Sequence, residues 1–363
     1  MPTPDTHATG ILPDHAIEAL AATGGILAPP FQPDQVQPAS LDLRLGTTAW
    51  RVRASFLPGK ARTVADRLDA LKLHAFDIRE GAVLETGCVY IVPLLESLAL
   101  PDFVSATTKP KSSTGRLDIF TRVITDHAQL FDQVPAGYAG PLYAEICPST
   151  FPILVRTGSR LSQIRFRVGD PRLDTRALEE LHWRERLVDT DGAVMGGGVA
   201  LSIDLEGFGD GLVGYRAKKH AGLVDVDRKG VLDRADFWEP IHARAGRGLV
   251  LDPREFYILA SKESVHVPPD HAAEMVAFDP LVGEFRVHYA GFFDPGFGHS
   301  AAGGSGSRAV LEVRSHEVPF ILEDGQTVGR LVYEAMRSRP ARLYGSMGSN
   351  YQGQALKLSK HFR

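Results

Sequence analysis

KSSTGRLDIFTRVITDHAQLFDQVPAGYAGPLYAEICPSTFPILVRTGSRLSQIRF, residues 111–166, decides the reading of this chain. Short apolar runs broken by Pro and Gly predict strands of a β-barrel or sandwich. The stretch opens with two hydroxyls and a cation, Ser112, Ser113 and Arg116, donors that suit an anionic, phosphorylated ligand. Asp132 falls in a turn, and Glu145 sits inside the apolar run YAEI. A carboxylate is expensive to bury in such a run unless it has a partner or a chemical task. One segment therefore offers an anion clamp and a candidate general base. Each residue also has a plainer reading: Ser-Ser-Thr-Gly is ordinary turn chemistry, and Glu145 could lie on an exposed strand face.

Working outward, the same strand pattern begins at Ala82. Before it, Asp14 is placed as the cap of a short helix with Ile17 and Leu20 on one face, stopped by Gly24 and Gly25. Val64, Leu68 and Leu71 predict an amphipathic helix over 61–73, and 174–187 predicts another with Asp174 as its cap. The Gly-rich stretch 191–201 is the expected boundary, giving domains 1–190 and 191–363.

The second half repeats the first. Tyr90 and Tyr257 stand 167 positions apart, as do Glu96 and Glu263, Pro101 and Pro268, Glu145 and Glu312, and Gly158 and Gly325. SLDL at 40–43 finds a possible counterpart in SIDL at 202–205. Two copies of one β domain account for this pattern. The copies differ chemically. KSSTGR of the first faces FDPLVG at 278–283, without serines or arginine, whereas the second keeps GFFDPGFG at 291–298 and AVLEV around Glu312.

Composition narrows the class. A net charge of −4 offers no global basic field for nucleic acid. Two cysteines, Cys88 and Cys147, give no disulfide framework and favour a reduced, cytoplasmic setting. No apolar run is long enough to span a membrane as a helix, and the N-terminus reads as no signal peptide. Zinc-site motifs are missing: there is no Cys-x-x-Cys, and the thirteen histidines form no His-x-x-x-His. The expectation is therefore no protein-bound metal and no zinc. HSAAGGSGSR at 299–308 lacks the Gly-Lys-Ser/Thr of a P-loop and reads as a mobile hairpin.

Several separated blocks together resemble the dCTP deaminases, a family of the dUTPase-like superfamily. KSSTGR resembles the family's Ser-Ser-x-x-Arg motif, and FDQVPAGYAG its Asp-Pro-Gly turn with about three extra residues. YAEI resembles its Leu-Glu strand, and GSRLSQIRF its Gly-x-x-Ile-x-Gln-Leu strand. QPASLDLRLG at 37–46 resembles the N-terminal signature, and SNYQGQALKLSKHF at 349–362 the nucleotide-covering tail. Lys111 stands where the family usually has arginine, and Asn350 where the tail has lysine.

The resemblance implies a mostly-β chain of two tandem dUTPase-like distorted β-barrel, jelly-roll-like domains with short peripheral helices. It also implies hydrolytic deamination of dCTP to dUTP and ammonia without zinc, with magnesium arriving on the triphosphate. Family sites lie between neighbouring subunits, so a homo-oligomer is expected. The catalytic candidates are Glu145 or Glu312 as general acid/base, with Arg116 and Ser112. Lys111, Ser113, Asp132, Asp294, Tyr344, Tyr351 and Gln354 are candidates for binding substrate. Glu145 is placed ahead of Glu312, because its copy keeps every motif. Residues 344–362, loosened by Gly345, Gly348 and Gly353, are expected to order over nucleotide, so that losing them costs turnover and little stability. The same scaffold also hosts dUTP or dCTP pyrophosphohydrolysis, and a degenerate copy could serve as a non-catalytic nucleotide sensor.

Overall fold

The computed structural model describes residues 8–244, 246, 248–277, 285–288, 291–315, 317–346, 349 and 351–363. The chain is mostly strand. In the first half, one antiparallel sheet orders Gln133–Val134, Val104–Pro110, Ser162–Val168, Ser40–Leu43 and Val36–Gln37. A second orders Ile119–Thr125, Ala139–Pro148, Val89–Ala99, Thr48–Val52 and Lys72–Asp77. Leu41, Ile164 and Phe166 of the first sheet close on Leu98, Val123 and Leu142 of the second, as two apolar faces must.

The second half repeats this plan. Val199–Ser202, Thr327–Ala335, His271–Ala277 and Phe292–Phe293 form one sheet. Trp238–His242, Leu212–Ala217, Phe256–Val265, Ser307–Ser315 and Phe285–His288 form the other. The 167-residue offset reappears in individual hydrogen bonds. The Tyr90 hydroxyl accepts from the Glu85 amide at 3.1 Å, and that of Tyr257 from the Asp252 amide at 2.9 Å. Gly158 and Gly325 both turn with positive φ, 89° and 75°, a region open to glycine without strain. Each donates its amide to a carbonyl of an N-terminal segment, Leu45 and Ile203 respectively.

That last pair corrects the alignment of SLDL with SIDL. Leu45, not Leu41, holds the place of Ile203: Leu45 bridges Leu94, and Ile203 bridges Ser261. Register follows strand pairing, and a four-residue likeness is too short to override it. FDPLVG at 278–283 lies outside the described residues.

The predicted helices form at Asp14–Ala22, Val64–Leu71 and Thr175–Glu185. Asp174 caps the third by accepting from the Ala177 amide at 2.8 Å. Asp14 is not a cap. It is the first helical residue, and its buried carboxylate accepts from the Ala341 and Arg342 amides at 2.9 and 3.0 Å, clasping the second half. Thr175–Glu185 precedes the Gly-rich stretch 191–201 in sequence, yet Leu178 and Leu181 are buried in the second half's core.

The halves share a further core. Ile153–Val155 pairs in parallel with Val224–Asp225, so a strand of each half completes one small sheet. Phe151, Ile153 and Val155 pack with Phe237, Trp238, Phe256 and Val310. Arg156 holds Asp225 through two nitrogen–oxygen contacts of 2.9 Å, the fork geometry arginine favours.

The C-terminus is built into this shared core. Leu358 is buried, and the Phe362 ring lies 5.3 Å from Phe237 and 5.8 Å from Trp238. Val231 and Leu232 donate to the His361 carbonyl, and Arg363 donates back to Leu232. The His361 imidazole, pushed down to about 4 by burial, meets the Val226 carbonyl at 2.9 Å. The expectation that this tail is dispensable for stability is therefore corrected for residues 351–363. A fully buried Leu or Phe side chain contributes about 1.5–3 kcal/mol. Deleting residues 351–363 is expected to lower the thermal unfolding midpoint by several degrees, measurable by calorimetry without nucleotide.

Candidate active site

A cavity of about 600 Å3 lies where the halves meet, and both line it. Lys111, Ser112, Ser113 and Arg116 reach it from the first half, and Asp294 and Glu312 from the second. The sequence KSSTGR forms a single helical turn, Ser112–Gly115, entered from an extended Lys111 that follows the strand Val104–Pro110. The Thr114 hydroxyl donates to the Leu161 carbonyl at 2.8 Å, and the Lys111 amide donates to the same oxygen at 2.9 Å. The turn is thereby pinned to the start of the strand Ser162–Val168, and Arg116 leaves it pointing across the boundary.

Arg116 is buried and held on several sides. It donates to the Lys357 carbonyl at 2.8 Å and to Gln354 Oε1 at 3.0 Å. Its guanidinium carbon lies 4.0 Å from the Tyr351 ring centre. Its Nε lies 3.9 Å from Glu312 Oε1, and that nitrogen has no hydrogen-bond partner. Glu312 is buried in Ser307–Ser315, and burial pushes its carboxyl up to about 8 although Arg116 pulls the other way. A carboxyl so raised holds or releases a proton near neutrality.

Asp294 is also buried, and burial raises its pKa while Arg165 opposes the rise. Arg165 comes from the first half and is almost wholly enclosed. It donates to Asp294 Oδ1 and Glu334 Oε2, each at 3.1 Å, and to the Ala273 carbonyl at 3.0 Å. Its guanidinium lies 4.0 Å from the Phe292 ring centre. Breaking a buried pair leaves uncompensated charge, so both carboxylates depend on this one cation.

The structure separates the remaining candidates. Tyr344, Tyr351 and Gln354 line the cavity with the clamp. Burial raises the Tyr344 phenol. Glu145 does not line it. Glu145 stands directly opposite Arg122 across a strand pair, and Arg122 binds its Oε1 through Nη2 at 2.6 Å and Nε at 3.2 Å. Asp132 likewise lies elsewhere, accepting from the Thr108 hydroxyl at 2.7 Å and the Val123 amide at 2.8 Å. Burial pushes its carboxyl up to about 6. His127, close to the clamp in sequence, faces the Lys60 carbonyl at 3.1 Å and does not line the cavity. The stretch 299–308, expected as a mobile hairpin, is a hydrogen-bonded turn: Gly306 donates to Gly298, which itself donates to Gln352 Oε1 at 3.0 Å. Gly348 and Asn350 lie outside the described residues.

Lysines complete one end of the cavity. Lys111 is paired with Asp42. Lys229 and Lys360 also line it, and Lys360 is pushed down to about 8 by burial and by repulsion from Lys111 and Lys229. Such crowding of ammonium groups suits a polyanion. Lys360 was legible in the quoted tail, and Arg165 in RLSQIRF, but neither block says which way a side chain turns. Lys229 carried no signal. Among the described residues, one group of three side chains could hold a metal, Glu185, His266 and His299, and none of them lines this cavity.

Two tandem dUTPase-like barrels with an arginine of one facing a buried glutamate of the other define a class of nucleotide-processing β protein. Comparison narrows it. Residues 8–170 match the family model of the 2'-deoxycytidine 5'-triphosphate deaminase N-terminal domain, and residues 174–362 that of its C-terminal domain. The chain belongs to the 2'-deoxycytidine 5'-triphosphate deaminase family. It is 65% identical to the crystal structure of 2'-deoxycytidine 5'-triphosphate deaminase from Agrobacterium tumefaciens, with a TM-score of 0.89, covering 93% of this chain and 98% of that one. It is 31% identical over 161 residues to a protein of Methanoculleus marisnigri named "dCTP deaminase, dUMP-forming", covering 43% of this chain and 79% of the relative. An Aquifex aeolicus protein of the same name is 31% identical over 158 residues, covering 43% and 80%.

Two outcomes test the site's electrostatics. Glu312 has a pKa raised above its unfolded value, so the folded state binds more protons between about 4.5 and 8, and stability falls as pH rises through that window. Glu312→Gln removes this loss. Relative to the parent protein its unfolding midpoint should rise between pH 5 and 9, by an amount on the order of 4 kcal/mol in stability. Arg165→Met leaves Asp294 and Glu334 buried without their cation and is expected to cost roughly 3–5 kcal/mol at pH 8, less at pH 5, by denaturant unfolding.

Proposed function

We propose that this enzyme hydrolyses the 4-amino group of dCTP to give dUTP and ammonia, in the cavity between its halves. The observation that carries the reading is the buried Glu312 carboxyl facing the unpartnered Nε of Arg116. Ionised Glu312 takes a proton from water, and the resulting hydroxide adds at C4 of the pyrimidine. The carboxyl then gives that proton to ring N3. As the tetrahedral centre collapses, Glu312 carries a second proton from the new hydroxyl to the departing amine. Arg116 and Ser112 hold the attacking oxygen and the developing charge, the kind of fixed electrostatic support that lowers barriers most.

The substrate's length fits the cavity's polarity. Lys111, Lys229 and Lys360 receive the triphosphate, and Asp294 accepts from the deoxyribose 3′-hydroxyl. Ser113, Tyr344, Tyr351 and Gln354 enclose the nucleotide. Asp34 and Asp227 line the cationic end, but each is engaged with an arginine. That arrangement suits magnesium that arrives on the triphosphate oxygens with its own water rather than in a protein cage. General acid/base chemistry therefore falls to Glu312 rather than Glu145, whose Oε1 is already occupied by Arg122. Asp132, bonded to Thr108 and Val123, is assigned a structural role.

The pattern of bonds recurring at one offset supports an internal duplication in which the first copy kept the clamp and the second the working carboxylate. A homo-oligomer rests on the family resemblance alone, because both sides of this cavity come from one chain. Among the described residues no helix is long and apolar enough to cross a membrane, and both cysteines are free, in keeping with a cytoplasmic nucleotide enzyme. Relatives named as dUMP-forming favour a second reading, in which the triphosphate is also cleaved.

Incubation with dCTP and magnesium, following ammonia, dUTP, dUMP and pyrophosphate, separates the readings. Ammonia with dUTP is the expected outcome, and equimolar pyrophosphate with dUMP would establish the second. Pyrophosphate without ammonia would make the chain a pyrophosphohydrolase, and nucleotide binding without products a sensor. Glu312→Gln is expected to abolish ammonia release while nucleotide still binds, and Glu145→Gln to retain substantial turnover. The reverse pattern would return the chemistry to Glu145.

A further inference from the structure

Away from the nucleotide cavity, three elements bring Glu185, His266 and His299 together, with one ligand atom from each within 4.8 Å of the others. Glu185 ends the Thr175–Glu185 helix. His266 follows the strand Phe256–Val265; its amide donates to the Leu187 carbonyl at 3.1 Å, and its carbonyl accepts from the Tyr333 hydroxyl at 2.8 Å. His299 opens the turn Ser300–Ala302, and its Nε2 lies 3.5 Å from Glu185 Oε2. The two imidazoles meet edge to face, with centres 5.0 Å apart. His266 Nε2 is shut from solvent and has no hydrogen-bond partner. A separate cavity of about 330 Å3 adjoins the cluster and is lined by Glu185, His271, His299 and Arg339.

We propose that Glu185, His266 and His299 bind one divalent transition-metal ion of the zinc class, through a carboxylate oxygen and the two Nε2 atoms. Two imidazoles and one carboxylate are a donor set that suits zinc, cobalt or nickel and disfavours magnesium and calcium, which take oxygen ligands. The adjoining cavity leaves the fourth position to water. The backbone bonds at 266 hold one ligand in place before the ion arrives. His299 is the ligand that adjusts. Its Nδ1 accepts from the Ala301 amide at 3.0 Å, so the ring proton sits on Nε2. On binding, Nε2 gives up that proton, Nδ1 takes one from solvent, and the Ala301 amide turns away.

The site has a route to the nucleotide cavity. The turn beginning at Gly296 is tied to the tail by Gln352, which accepts from the Gly298 amide at 3.0 Å and donates to the Gly296 carbonyl at 3.1 Å. Tyr351, the next residue back, carries Arg116 on its ring. The ion would therefore stiffen the turn that anchors the tail. It makes no contact with substrate and has no part in the deamination chemistry above.

The test uses untagged, chelator-stripped full-length protein. Zinc is titrated by calorimetry, and cobalt is followed by its visible ligand-field absorption. One ion per chain is expected, with the absorption of a tetrahedral nitrogen–oxygen site and a shifted Ala301 amide resonance. His266→Gln and His299→Gln should each weaken binding by more than about 100-fold, beyond the 10–100-fold typical of residues that only support a ligand. Metal-free circular dichroism shows whether each variant is folded; if either is not, Glu185→Gln at the half-buried helix end replaces it. Binding no tighter than millimolar, or binding unchanged in the folded variants and so owed to other histidines, would overturn the proposal.

Discussion

A single charged relationship organises this molecule: a cation of the first half faces a buried carboxylate of the second. Arg116 toward Glu312 is one instance, and Arg165 toward Asp294 and Glu334 is the other. Buried carboxylates are costly when alone, and their cations come from the opposite half. The cavity and these ion pairs therefore exist only while the two barrels stay docked.

Apolar contact joins those charges in holding the halves together. Phe151, Trp238 and Phe256 form a core to which both halves contribute, and the last residues of the chain close over it through Leu358 and Phe362. Arg116 then gains its tail partners, Tyr351, Gln354 and the Lys357 carbonyl, from the same segment. One piece of chain both lines the cavity and closes the shared core.

The two glutamates show how equal sequence positions acquire unequal chemistry. Glu145 and Glu312 occupy corresponding strands and are both buried. Glu145 has Arg122 directly opposite, close enough for a two-nitrogen contact. Glu312 has a cation only at 3.9 Å, so burial dominates and its proton is retained to about 8. The two carboxylates thus differ in how closely an arginine approaches each.

Much was legible from residues alone. Alternating short strands and the offset of 167 gave two β units, because side-chain periodicity and repeated glycine turns are local properties. The clamp Ser112, Ser113 and Arg116 and the turn at Asp294 were visible as motifs, and so were Tyr351 and Gln354 of the tail. Which glutamate meets the clamp was not, nor that SLDL and SIDL lie out of register, nor that Asp14 clasps residues 341–342. Those depend on side chains from distant segments meeting across a packed boundary, and a linear sequence carries no distance between them. Tertiary structure decided them because only the docking of one barrel on the other brings Arg116 to Glu312, Arg165 to Asp294, and the chain's last residues back to its first half.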